Sequence, residues 1–188
     1  MDMVQILQHS LDRNRERLAN VKDDQLGDAT PCADWSVKDL INHIIGGNFL
    51  FALSTSGKTV DTSQPRPDFV GNGNFLAAYE QASNAQIEGW RTDGVMELTM
   101  ELPFGTMTGK DAIRIALLEA VVHGRDLAKA TGQDYSIPDE VALPMLEGLK
   151  KVMPGGKRPP QMPFGDEIAV PDGAPVGDKL VAFLGREP

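Results

Sequence analysis

Apolar residues recur at helical spacing from the start of the chain. Val4, Leu7, Leu11, Leu18 and Val21 fall on one stripe, with Arg13, Glu16, Arg17 and Lys22 elsewhere, which predicts a helix over 2–22. A breaker cluster spans Gly27 to Asp34. Ser36 then offers an N-cap with Asp39 three residues on, so the second helix is expected over 36–53. Gly46-Gly47 in its middle costs roughly 1 kcal/mol per glycine in propensity, a cost more tolerable if something packs close to the backbone there. The missing side chain at Gly47 leaves room one turn from His43. Residues 54–71 carry Gly, Ser, Thr and three breakers (Pro65, Pro67, Gly71) and read as a surface loop. Phe75, Leu76, Tyr79, Ala82, Ile87 and Trp90 mark a third helix over 73–90.

Residues 95–102 alternate as a strand does, and Pro103-Phe104-Gly105 turns the chain, so a short β-hairpin is expected. A fourth helix follows over 108–131, with Gly132 as its C′ residue. Over 132–188 the pattern predicts one extra helix, with Pro138 at N1 and a kink or break at Pro144. After it comes a Pro/Gly-rich wrapping tail from Pro154 to Pro175, before Leu180–Leu184 docks. The expected architecture is mainly α: one unit over 1–188, a four-helix bundle with a hairpin insert and an extra C-terminal helix.

Charge narrows the partners. Asp and Glu number 27 against 18 Lys and Arg, a net charge of −9, which argues against nucleic acid or an anionic membrane surface. The apolar runs around Leu40–Ile45 and Ala112–Val122 are too short or too interrupted to span a bilayer. Met1–Ile6 has neither the basic nor the apolar region of a secretory signal, so a cytoplasmic protein is expected. A homodimer is left open. The lone Cys32 permits no internal disulfide and no four-cysteine zinc site, leaving His and carboxylates as the ligands available to a metal.

Those ligands cluster. At about 100° per residue, with Glu119 as zero, His123 falls near about 40° and Asp126 near about 340° on a face otherwise lined by Ala112, Ala116 and Ala130. Lys110, Arg114, Arg125 and Lys129 mark the solvent face. Small residues around titratable groups leave room for a divalent cation, and Glu-x₃-His supplies two ligands one turn apart. The alternative is an i,i+4 hydrogen-bonded pair at a helix seam. His43, on the second helix and one turn from Gly47, would complete a His₂Glu set with open positions, and Asp126 would orient an imidazole or act as a base. His9 reads as solvent-exposed. Cys32 has no base adjacent in sequence and reads as structural, and Trp35 reads as an anchor before the Ser36 cap.

Thr30-Pro31-Cys32-Ala33-Asp34-Trp35-Ser36-Val37-Lys38-Asp39-Leu40-Ile41-Asn42-His43 resembles the signature of the mycothiol-dependent maleylpyruvate isomerase metal-binding domain, within the DinB/YfiT-like superfamily. His123 to Gly132 resembles its second signature, and Phe183 to Pro188 is similar to the ending of short stand-alone members. The resemblance implies a bundle holding a divalent metal at His43, Glu119 and His123. Zinc is the first expectation, with nickel or another first-row ion next. It also implies a low-molecular-weight thiol such as mycothiol, activated for transfer to, or isomerisation of, a small-molecule substrate. Arg125 departs from the family, which usually carries an aromatic before the Asp. The rival functions are a non-catalytic ligand-binding or interaction bundle, and a metal-dependent hydrolase.

Overall fold

The computed structural model describes residues 2–61, 65, 67–159 and 164–188. Four long helices carry the core: α1 (Met3–Ala19), α2 (Val37–Thr55), α3 (Phe75–Trp90) and, beyond the hairpin β1 (Thr99–Leu102) and β2 (Gly105–Thr108), α4 (Gly109–Ala130). Each of α1 and α2 packs against both α3 and α4, closing the expected four-helix bundle. Leu7, Leu40, Ile41, Ile45, Tyr79, Trp90, Ile113 and Leu127 fill its centre.

Local chemistry explains the boundaries. Asp2 and Gln5 form a capping box on α1, and Ser36 and Asp39 form one on α2. Asn74 accepts from Ala77 N–H and so starts α3 two residues later than expected. Helix α1 ends at Ala19, short of Val21, because Asn20 caps it and a 3-10 turn (Asp23–Gln25) follows. Gly132, at φ +70, closes α4 as the left-handed C′ residue. Of the loop expected over 54–71, Ser54 and Thr55 still belong to α2, and residues 62–64 and 66 lie outside the described residues.

The alternation over 95–102 makes a strand only from Thr99. Val95, Glu97 and Leu98 spend their N–H groups on turns to Thr92, Gly94 and Val95 carbonyls. The Met96 and Leu98 carbonyls instead accept from Lys110 and Gly109 N–H, both at 2.9 Å, satisfying the start of α4. The hairpin pairs Thr99 with Thr108 and Leu102 with Gly105, burying Met100 and Leu102.

The C-terminal part holds two helices rather than one, α5 (Asp139–Val152) and α6 (Val176–Phe183). Pro138 is the N-cap of α5, one position before the expected N1. Pro144 does not break the helix. Its missing N–H forfeits a single bond in the second turn, while Ala142 and Leu146 bury against Leu118 and Val122 of α4 and Leu180 and Phe183 of α6. Residues 160–163 of the wrapping tail lie outside the described residues. Docking α6 here also corrects the expected solvent face of α4. Lys110 and Arg114 are exposed, but Arg125 is only 1% exposed, paired with Asp178 at 3.2 Å and stacked on the Tyr135 ring. Lys129 is half-buried, bonded to the Glu187 and Pro188 carbonyls.

Candidate metal centre

The breaker cluster before α2 builds one wall of the site. Thr30 Oγ1 accepts from Cys32 N–H and donates to the Trp35 carbonyl, while Trp35 N–H bonds Cys32 O at 3.1 Å. Asp34 sits between them at φ +65, a conformation Asp tolerates better than most side chains. The turn carries Cys32 and Trp35 across to α4, and the Asp28 and Leu26 carbonyls accept from Val37 and Lys38 N–H at the start of α2.

His43 of α2 and Glu119 and His123 of α4 converge. Glu119 Oε2 lies 3.0 Å from His43 Nε2 and 3.3 Å from His123 Nε2, and the three ligand atoms all fall within 4.8 Å of one another. Around a zinc ion with ~2.0–2.1 Å bonds, tetrahedral ligand atoms lie roughly 3.3 Å apart, so the donor set fits a small divalent cation. The imidazoles meet edge to face, with centroids 4.6 Å apart, and Trp35 covers both, at 4.6 Å from His43 and 5.9 Å from His123. A void of about 10 Å³ bordered by Gly47, Asn48 and these three residues is room on the scale of one water. A Cβ on Gly46 or Gly47 would meet nothing within 4 Å. Among the described residues nothing packs close at these glycines, and at Gly47 the missing side chain borders the site one turn from His43. Buried Asn48 also lines the void, and its Nδ2 has no partner among the described residues.

Behind His123 lies a second layer. Its Nδ1 faces Asp126 Oδ2 at 3.2 Å, Asp126 is fully buried, and Arg186 Nε donates to both Asp126 oxygens, at 2.9 and 3.2 Å. Cys32 Sγ donates to Asp126 Oδ2 at 3.2 Å and stands 3.6 Å from His123 Nδ1. Cys32, His123 and Asp126 also group closely enough to chelate, but the Arg186 guanidinium on Asp126 already supplies the positive charge there.

Electrostatics follow from these contacts. Burial works to raise Glu119, yet hydrogen bonds from His123 and His43 hold it below the usual carboxylate range. Burial works to lower His123, but its contacts with Asp126, Cys32 and Glu119 raise it well above 6.5. Asp126 is lowered by His123 and Arg186 against its own burial.

The expected face of α4 thus brings Glu119, His123 and Asp126 together, with Glu119 half-buried, its side chain 35% exposed, and the other two buried. His9 is exposed as expected. Two residues of the cluster escaped sequence reasoning. Cys32 has no base beside it in sequence, and the ones it meets lie 91 and 94 positions away. Arg186 is 60 positions from Asp126, and no short spacing signals such a pair.

Comparison with known proteins agrees with this architecture. Residues 7–128 match the family model described as the mycothiol maleylpyruvate isomerase N-terminal domain. Two uncharacterised proteins of Mycobacterium tuberculosis, from strains CDC 1551 / Oshkosh and H37Rv, are each 34% identical over 186 residues, covering 99% of this chain and 98% of theirs. Two crystal structures of the mycothiol-dependent maleylpyruvate isomerase are similar in fold at 15% identity. One has a TM-score of 0.61, over 82% of this chain and 72% of that one. The other, a histidine-to-alanine mutant, has a TM-score of 0.59, over 77% and 66%. With the family model spanning α1 to α4 and every ligand candidate among them, the chain belongs to the mycothiol maleylpyruvate isomerase N-terminal domain family.

Proposed function

We propose that this chain binds one divalent metal ion, zinc first among the candidates, through His43, Glu119 and His123, and uses it for thiol-dependent transfer or isomerisation of a small molecule. The observation that carries the reading is the convergence of two Nε2 atoms on one carboxylate oxygen from two different helices. Bound there, the cation would supply Lewis acidity and hold a low-molecular-weight thiol such as mycothiol in its nucleophilic thiolate form. The relatives named for mycothiol dependence support that choice of thiol.

The residues around the ligands prepare the site. Asp126 accepts the Nδ1 proton of His123, which leaves Nε2 free to ligate, and Arg186 fixes Asp126 in turn. Trp35 screens the imidazoles from solvent on one side. Gly47 borders the void with no side chain of its own, and Asn48 lines it. Mycothiol consumption with a panel of small electrophiles, in zinc-loaded and chelated protein, tests the proposal. Turnover that needs both thiol and metal is the expected result. Turnover without thiol favours hydrolysis, and none in either state favours a binding module.

A further inference from the structure

A second concavity, of about 360 Å³, opens between α1, α4 and the start of α5. That volume lies in the small-molecule range. Ile6, Val121 and Ile137 contribute apolar wall, while Arg13 and Arg17 contribute charge. Arg17 is the unusual member. It is 8% exposed, and among the described residues no carboxylate lies within ion-pair distance of it. Its Nη1 donates to Asn14 Oδ1 and its Nη2 to the Asp134 backbone carbonyl, both at 3.1 Å, and both acceptors are neutral. The Asp134 carboxylate is engaged elsewhere, 3.5 Å from Arg13 and hydrogen-bonded to Ser136. Glu140, at the mouth, is exposed and forms no ion pair among the described residues. Burial and then the Arg13 charge lower Arg17 to about 10, with Asp134, Tyr79 and Glu16 working the other way, so it stays cationic at neutral pH.

A buried cation with no carboxylate in direct contact is expensive, and an anion brought in from outside would offset that cost. Two guanidiniums that share one nearby carboxylate, Asp134, beside apolar wall call for a single further negative charge on a hydrocarbon body. We propose that this cleft binds a small amphipathic monocarboxylate, its carboxylate against Arg17 and Arg13 and its hydrocarbon against Ile6, Val121 and Ile137. The cleft is separate from the metal ligands, and Asn14 and Ala120 form the wall common to both spaces.

Calorimetric titration of the full chain with octanoate, octanol and octylamine tests this, in metal-loaded and chelated protein. Octanoate should bind about tenfold more tightly than octanol, octylamine should not bind, and chelation should change neither result. Arg17→Met should erase the preference for the acid. Ser10→Phe, which blocks the cleft from α1 and leaves both guanidiniums intact, should abolish binding and serves if Arg17→Met fails to fold. Equal affinity for acid and alcohol, no binding of octanoate, or octanoate binding that survives Ser10→Phe would overturn the proposal. So would binding lost on chelation, which would put the carboxylate on the metal instead.

Discussion

Asp126 exposes no surface, yet its two oxygens take contacts from His123, Cys32 and Arg186. Its lowered pKa means that its charged form adds stability above pH 3.8, which is lost as pH falls through the folded value. Asp126→Asn keeps the shape and removes the charge. Metal affinity should then fall about 10–100-fold, because the acceptor that fixes the His123 tautomer loses its negative charge and the ring becomes a weaker base. Competition with a chromophoric chelator measures this, and unchanged affinity would exclude a positioning role. Cys32 belongs to the same layer. Its neighbours are invisible in sequence because they come from α4 and the C-terminal tail.

At the scale of elements, α1 and α4 approach closely through one missing side chain. A Cβ on Gly124 would fall on Asn14 Oδ1, with Asn14 Cγ at 2.6 Å. Asn14 is 1% exposed and bonds the Ala120 carbonyl at 2.7 Å. Gly124→Ala gains about 1 kcal/mol of helix propensity but must displace this buried amide, so a net loss of about 1–3 kcal/mol is expected. Urea denaturation checks it, and a stabilised variant would contradict the contact. The amphipathic stripes of α1, α3 and α4 and the Ser36 cap were legible because period and capping are local properties. The failures at Val95–Leu98 and Pro144 share a cause, since packing against α4 decided how those backbones bond. Arg125 looked solvent-facing on a helical wheel only because α6, which covers it, is brought there by tertiary folding.

For the whole molecule, the −9 charge and the bundle architecture set the background for a site that draws ligands from two helices. Among the described residues no helix is long and apolar enough to cross a membrane. Without metal, His123 stays protonated beyond pH 6.5, because its contacts outweigh burial. That stabilisation is complete below 6.5 and is lost as pH rises through the folded value. A cation needs the neutral ring, so its binding must expel a proton and tighten as pH rises. The decisive measurement is a zinc titration of chelator-treated protein by calorimetry, repeated with His43→Ala, Glu119→Gln and His123→Ala. One ion per chain, tighter at pH 8 than at pH 6 and lost in each variant, is the predicted result. No binding, or binding that each of the three variants retains, would contradict it.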